Sequence, residues 1–415
     1  MTLEWKTSRR ILLGVCGGIS AYKAPEIVRE FRKQGWDVEV VLSLAAERFV
    51  SPLVISTLTG RKVWREEDFL SAEYGWKIPH ISLAEWADVT VVAPATASFL
   101  QKAAHGDASS TLSASLLVTR SPVLLFPAMN VFMWEHGAVR DNVDRCSDLG
   151  YRIVEPEEGA LACGYEGKGR LPSIEVIREE TFRAVAAVRD MTGLRVLVTS
   201  GPTREAIDPV RFISNPSSGK MGSALARTAW YRGAEVTVIS GPATEPVPYG
   251  VRMIPVVSAG EMFDAVMQEA PSHDIIVKAA AVGDFTPIRA MDKKIKREEG
   301  KNLVLEMVPN QDIAAALGAS KKPGQFLVGF AAETDDAIAN ATRKLVRKGL
   351  DLIVLNDVQS KSSAFGSENN SVSIIGKEGI KAEFSGSKEE VADVIWEIVS
   401  LSRGAAGGQP CSSRS

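Results

Sequence analysis

The residues best suited to chemistry fall in a few short strings. Cys163 stands in EPEEGALACGYEGKGRLP (residues 155–172), close to Gly164, Gly167 and Gly169. Glycines at that density let a loop move as a flap, and an exposed thiol on a mobile loop can donate a proton or act as a redox centre. Asn130, in PAMNVFMW, has Met129 and Met133 on either side and Trp134 close by. An amide in such apolar company is costly unless it bonds something, and a flat apolar cofactor with a polar rim would suit it. His80, in KIPHISL, is isolated in sequence, which is the pattern of a structural histidine as readily as a catalytic one. The longest reactive stretch is TSGPTREAIDPVRFISNPSSGKMGSA (199–224). There Ser217, Ser218, Gly219, Lys220 and Gly222 can offer backbone N–H groups, hydroxyls and one positive charge to a phosphate at a helix N-terminus. The spacing is not that of a Walker loop, so phosphate or nucleotide binding here does not use a P-loop. Asp284 follows KAAAVG, and the basic cluster DKKIKR (292–297) downstream of it could reach a triphosphate. Phe330 could stack on a base, and Lys344 and Lys348 share one helix face.

Alternating strands and helices must hold these groups. Apolar runs at Ile11–Val15, Asp37–Leu42, Val89–Ala93 and Val123–Phe126 read as strands of one sheet. Leu194–Val198, Glu235–Ser240, Ile275–Val277 and Leu352–Leu355 read as strands of another, with VGFAAET ending a further one. Helical patterns lie between them, among them Ala21–Gln34, Ile174–Asp190, Met221–Tyr231 and Asp335–Lys348. Strand–turn–helix–strand order predicts parallel sheets with right-handed crossovers, and such sheets bind ligands beyond their carboxyl edges. Gly17, Gly18 and Ser20 sit at that edge and suit a flavin or nucleotide phosphate. Ser43, Thr96, Ser98 and Asp284 sit at strand ends as well. His80 is expected just before a turn at Leu83–Asp88, 241–255 is expected as a Pro-rich connection, and EEGKNLVLEMV (298–308) as a hairpin arm.

With 415 residues the chain is too long for one core. Met191-Thr192-Gly193 reads as the linker, giving domains 1–190 and 191–403 and a low-complexity, disordered tail, GAAGGQPCSSRS (404–415). Hydrophobic content of 45% and charged content of 24% are those of a globular enzyme. A net charge of −3 argues against a nucleic-acid partner, and no run of about 20 apolar residues argues against a membrane span. Four cysteines without a CxxC pair point to a reducing cytoplasm.

Taken together the strings resemble two families in series. GVCGGISAYK, IPHISL, APATAS, PAMNVFMW and ACGYEGKGR resemble flavin-dependent cysteine decarboxylases. SGPTREAIDPVRFISNPSSGKMG, KAAAVGDF, KKIK, NQDI, VGFAAET and RKGLDLIVLNDV resemble phosphopantothenate–cysteine ligases. Their order is similar to that of the fused bifunctional enzymes of coenzyme A synthesis. The resemblance implies an α/β chain of two Rossmann-like, three-layer αβα domains: a flavodoxin-like flavoprotein domain and then a CTP-binding ligase domain. It implies FMN, with oxidation of the substrate's cysteinyl thiol so that the carbanion left by departing carbon dioxide is delocalised. In that scheme His80 assists oxidation, Asn130 binds the substrate carboxylate and Cys163 returns a proton. For the second half it implies that CTP activates the carboxylate of 4′-phosphopantothenate as an acyl-cytidylate, which the amine of cysteine then attacks. Asn215 would hold that intermediate and Lys294 would neutralise phosphate charge. Asp284, Phe330, Lys344 and Lys348 would surround the nucleotide, and the backbones of Lys278, Ala279 and Ala280 and of Gln311, Asp312, Ile313 and Ala314 would line it. A divalent cation such as Mg2+ would bridge the triphosphate, with Asp284 as the candidate metal ligand. The family assembly implies a homo-oligomer, a dodecamer of trimeric flavin halves and dimeric ligase halves. The chain departs from the family at Ser98, at GDASSTL (106–112) and at NQDI. A non-enzymatic flavin-binding or oligomerisation module is opposed by the presence of both His80 and Cys163. A tandem dehydrogenase is opposed by the incomplete GxGxxG and by Ser43 where an acid would stand.

Overall fold

The computed structural model describes residues 9–161, 164–186, 188–296, 302–332, 336–356 and 369–407. The chain forms two compact units, 2–187 and 188–415. The first is built from β1 (Arg10–Val15), α1 (Ala24–Lys33), β2 (Asp37–Leu42), α2 (Pro52–Thr59), β3 (Val63–Trp64), α3 (Pro79–Trp86), β4 (Val89–Ala95) and α4 (Ala97–Ala104). It continues with α5 (Thr111–Val118), β5 (Val123–Pro127), α6 (Val131–Glu135), α7 (Gly137–Asp148), β6 (Arg152–Ile153), β7 (Glu157–Ala160), β8 (Glu166–Arg170) and α8 (Ile174–Val185). Six strands form a parallel sheet in the order β3-β2-β1-β4-β5-β6. All seven residues of β4 are buried, which is why its sequence is an unbroken run of small and branched side chains rather than an alternation. The connection from β1 leads to one side of the sheet and the chain returns at β4 on the other. The crevice beyond β1 and β4 is therefore a switch point, where ligands bind in this architecture.

The second unit repeats the logic at larger scale. Its elements are β9 (Arg195–Ser200), β10 (Arg204–Ala206), β11 (Phe212–Ser214), α9 (Lys220–Tyr231), β12 (Glu235–Ser240), β13 (Arg252–Pro255), α10 (Ala259–Glu269), β14 (Ile275–Lys278) and β15 (Phe285–Pro287). Then come β16 (Met307–Pro309), α11 (Ile313–Ala319), β17 (Phe326–Ala332), α12 (Ala337–Arg347), β18 (Leu352–Asn356), β19 (Asn369–Gly376), β20 (Gly379–Ser387) and α13 (Lys388–Gly407). The main sheet has the order β13-β12-β9-β14-β17-β18-β19-β20, parallel through β18 and closed by an antiparallel hairpin. Its switch point lies between β9 and β14. Small antiparallel pairs, β10–β11 and β15–β16, stand off the carboxyl edge. No helix among the described residues is long and apolar enough to cross a membrane.

The structure corrects the sequence reading at several places. Leu83–Asp88 is not a turn: His80 lies in the first turn of α3, which runs to Trp86. Residues 241–255 include β13, an edge strand paired in parallel with β12. Helix α8 ends at Val185, and Met191 is fully buried with its N–H on the Arg232 carbonyl at 3.1 Å, so 191–193 are packed chain rather than a loose connector. Asp190 and Asp393 both pair with the buried Arg232 guanidinium, which fixes that packing. Residues 404–407 finish α13, whereas 408–415 lie outside the described residues.

Helix α13 is anchored on α9 by Trp396, which is fully buried and donates its indole N–H to Leu225 O at 3.1 Å and Thr228 Oγ1 at 2.9 Å. Trp396→Ala removes a large core side chain and two bonds, so it should destabilise the protein by about 3–5 kcal/mol. A urea unfolding curve followed by circular dichroism measures this, and an unchanged midpoint would contradict the anchoring role.

Candidate functional sites

A cavity of about 1040 Å³ opens at the carboxyl edge of the first sheet. Loops after β1, β2, β4 and β5 form it, and it gathers Gly17, Gly18, Ser20, Ser43, Thr96, Ser98 and Asn130. Gly17 is required by close packing: a Cβ there would lie 2.2 Å from Ala45 Cβ and 2.7 Å from its backbone carbon. Ser43 ties the two loops further, its N–H on Val15 O at 3.0 Å. Thr96 Oγ1 caps α4 by accepting from Phe99 N at 3.3 Å. Asn130 Oδ1 caps α6 by accepting from Phe132 N at 2.9 Å, which answers how an amide is tolerated among methionines. The walls are apolar at Phe99, Leu112 and Met129, and the rim carries hydroxyls. A planar aromatic group bearing a phosphate fits a cavity of this size and lining.

The hairpin β7–β8 lies along this cavity. Met129 donates its N–H to Gly169 O at 3.0 Å, and a Cβ at Gly169 would meet Met129 O at 2.2 Å. Cys163, between these two strands, lies outside the described residues. His80 does not line the cavity. It is half-buried, its ring packs edge-on against Phe69 with centroids 5.5 Å apart, and its Nδ1 is buried with no hydrogen-bond partner among the described residues.

Several cavity residues were not expected, among them Cys16, Lys23, Glu66, Lys102, Ser110 and Arg170. Burial pushes the Cys16 thiol up to about 12, so it stays protonated at neutral pH and serves as an apolar wall. Glu66 and Lys102 form a charged corner, with the Glu66 carboxyl raised by burial and partly restored by Lys102. Lys102 Nζ also bonds Ser109 Oγ at 3.1 Å, inside the GDASSTL string, and Ser110 of that string lines the cavity. The spacing of Ser98 and Lys102, four apart on α4, was a legible signal for Lys102. Glu66 follows a two-residue strand and had none.

In the second unit the expected residues fall into two groups. Asn215, Asp284 and Glu205 share a cavity of about 460 Å³ with Ser214, Phe285 and Met307. Asn215 Nδ2 donates to Val282 O at 3.0 Å, linking the long loop to the segment after β14. Around the ends of β14 and β17 stand Lys278, Asp312, Lys344, Lys348 and the half-buried Phe330. Burial, then the nearby Lys348, holds the Lys278 ammonium below its ordinary range. Burial would raise Asp312, but Lys348 Nζ at 3.0 Å and the Ala315 N–H at 3.1 Å bring its carboxyl down. Ile313 and Ala314 point into the core, so only their backbone can face a ligand, and Gln311 is exposed. Ala280 N is fixed by Thr199 Oγ1 at 3.1 Å, which sets the course of Ala279 and Ala280. Lys294 is exposed and does not line the Asn215 cavity. Its neighbour Ile295 is held at both ends, N–H to Asp208 Oδ2 at 3.1 Å and carbonyl to Arg211 at 2.7 Å. Lys220 begins α9, whose N-cap Gly219 has φ 83°, and a Cβ at Gly222 would meet Ser200 Oγ at 2.3 Å. No group of three or more His, Cys, Asp or Glu able to hold a metal occurs among the described residues.

Gly169→Ala forces the hairpin off the Met129 backbone. Limited proteolysis should then cut within 157–170 several-fold faster than in the parent chain, and an unchanged cleavage rate would contradict the contact.

A family described as flavoprotein matches residues 2–186, and one described as the DNA/pantothenate metabolism flavoprotein C-terminal domain matches residues 191–401. The chain is 44% identical over 401 residues to the coenzyme A biosynthesis bifunctional protein CoaBC of Bacillus subtilis, covering 95% of this chain and 98% of that one. It is 40% identical over 375 residues to the CoaBC of Escherichia coli K12, covering 90% and 92%. Among solved structures, the C-terminal domain of a CoaBC is similar at 37% identity and TM-score 0.44, over 52% of this chain and 97% of that one. The FMN-dependent cysteine decarboxylase SpaF is similar at 34% identity and TM-score 0.37, over 44% and 97%. Matched along nearly its whole length at such identity, the chain belongs to the family of CoaBC bifunctional proteins of coenzyme A biosynthesis.

Proposed function

We propose that this protein makes 4′-phosphopantetheine in two steps at two separate sites: CTP-dependent ligation of 4′-phosphopantothenate to cysteine, then FMN-dependent decarboxylation of the 4′-phosphopantothenoylcysteine formed. The observation that carries the reading is the presence of two differently lined clefts at the carboxyl edges of two sheets in one chain. One is roomy, with apolar walls and hydroxyls; the other is smaller and carries two carboxylates and an amide, with a separate group of lysines and Asp312 near the ends of β14 and β17. Decarboxylation is assigned to the first compact unit, 2–187, and ligation to the second, 188–415.

FMN, when bound, supplies the redox chemistry that makes loss of carbon dioxide from the substrate possible. The chain's own residues do the rest. Gly17, Gly18, Ser20 and Ser43 hold the phosphate, and Thr96, Ser98 and Asn130 surround the reacting end. An amide holds a carboxylate without a full countercharge, so it does not over-stabilise the ground state. Cys163, which lies in sequence between β7 and β8, donates the proton. His80 assists the oxidation. Because it stands outside the cavity of its own chain, its position supports a homo-oligomer in which a second copy completes the site. A trimer of flavin halves and a dimer of ligase halves, twelve chains in all, is the assembly consistent with this.

In the ligase half, Lys278, Lys344 and Lys348 make the nucleotide cleft net positive beside Asp312 and Asp284. Phe330 stacks on the base, Asn215 holds the acyl-cytidylate and Lys294 neutralises the phosphate. A bound Mg2+ would neutralise charge on the triphosphate, and the exposed Asp284 is the residue that would hold it. The cytoplasm is the assigned compartment.

Two variants test the division of labour. Lys294→Gln should abolish pyrophosphate release from CTP and 4′-phosphopantothenate while leaving decarboxylation of supplied 4′-phosphopantothenoylcysteine intact. Cys163→Ser should leave pyrophosphate release intact and block formation of 4′-phosphopantetheine, with an oxidised, decarboxylated intermediate accumulating instead. Loss of both activities in either variant, or of neither, would contradict the assignment.

A further inference from the structure

Glu205 is a carboxylate that the two-step reading leaves without a task. It lies on β10 and is only 3% exposed. Its Oε1 accepts from Ala259 N at 3.0 Å, at the start of α10. Its second oxygen has no hydrogen-bond partner among the described residues. The side chain lines the cavity that also holds Asn215, Ser214 and Asp284. Gly283 packs against it, so that a Cβ at that position would sit 3.4 Å from Glu205 Cγ and 3.6 Å from Oε1. Ser258 takes the Glu261 N–H at 3.2 Å and Glu205 Oε1 takes the Ala259 N–H, so the start of α10 accounts for one Glu205 oxygen and leaves the other for the cavity. The unpaired oxygen is not among the buried partnerless atoms, so it is open to the cavity, where a cationic ligand could meet it.

The chemistry of ligation needs such a group. An amine reaches the site as an ammonium, which has no lone pair to attack with. We propose that Glu205 is the catalytic base of amide formation, taking a proton from the ammonium of cysteine next to the acyl-cytidylate held by Asn215; this rests on the ligase reading given above. One proton passes from nitrogen to the Glu205 carboxylate. The freed lone pair forms the C–N bond to the acyl carbon. The C–O bond to the cytidylate phosphate breaks with its electron pair, releasing CMP, and the second nitrogen proton leaves with the CMP phosphate or to water. The buried carboxylate also selects for a cationic nucleophile over water.

Glu205→Gln keeps the shape and the Oε1 acceptor for Ala259 N but cannot take a proton. In rapid-quench experiments with the full-length protein, the pyrophosphate burst from CTP and 4′-phosphopantothenate should keep its wild-type rate and amplitude. CMP release triggered by cysteine should fall by about 10²–10⁴-fold. Hydroxylamine, which is already a neutral nucleophile near pH 7, should trigger CMP release equally well in both proteins. Glu205→Asp should retain part of the cysteine rate. Equal slowing with cysteine and hydroxylamine, or loss of the burst in Glu205→Gln alone, would overturn the assignment and leave Glu205 a structural residue. Absence of the burst in the wild-type protein would instead overturn the ligase reading, and this inference with it.

Discussion

At the carboxyl edge of each sheet two loops cross with no room for a side chain between them. In the first unit Gly17 passes over Ala45, and in the second Gly241 passes over Pro202, where a Cβ would lie 1.8 Å from the carbonyl oxygen. Protein interiors do not yield to overlaps of that size. The crossings therefore fix where the loops after neighbouring strands can go, and those loops carry nearly every reactive residue. Gly17 draws the first loop against the one after β2, and so sets Ser20 beside Ser43. Gly241 draws the 201–205 segment inward, from which β10 delivers Glu205. The same device recurs at the hairpin, where Gly169 lies on Met129, and at Gly318, where a Cβ would be 1.9 Å from Lys348 O. That last contact brings α11 against the end of α12 and places Asp312 within reach of Lys348.

The two clefts solve different electrostatic problems. The first sets apolar walls and hydroxyls beside a few charged side chains: Lys23, Arg170 and the Glu66–Lys102 corner. Apolar walls with positive charge at the rim suit a flat aromatic ring that carries a phosphate. The second gathers three lysines and two aspartates: burial, then Lys348, lowers the Lys278 ammonium, while Lys348 brings the Asp312 carboxyl down against its burial. Such a cleft is suited to a polyanion, whose charge compensates the lysines on binding.

Strand ends were the readable part of the sequence. Gly17, Gly18, Ser20, Ser43, Thr96, Ser98 and Asn130 were all placed by one rule, that apolar runs end at the ligand edge of a parallel sheet, and one cavity gathers them. His80 could not be placed by that rule, because its helix is set by packing against Phe69 and α5 rather than by the sheet. Glu205 was inside the most conspicuous string, yet a three-residue strand has too little periodicity to say which way it points. The hairpin β19–β20 was missed although Asn370, Val372 and Ile374 are buried at every second position. Met191 read as a connector because nothing local reveals that Arg232, forty residues on, closes over it. The alternation of strand and helix was legible because burial dictates residue type; contacts between distant loops were not, because they depend on the three-dimensional course of both.

The central claim is that two independently built clefts in one chain carry out consecutive reactions. It is tested most directly by incubating the purified, FMN-loaded protein with 4′-phosphopantothenate, cysteine and CTP and following products by mass spectrometry. The account predicts transient 4′-phosphopantothenoylcysteine followed by 4′-phosphopantetheine, with CMP and pyrophosphate formed in equal amounts. Accumulation of the cysteine adduct with no loss of carbon dioxide, or no CTP consumption at all, would contradict it.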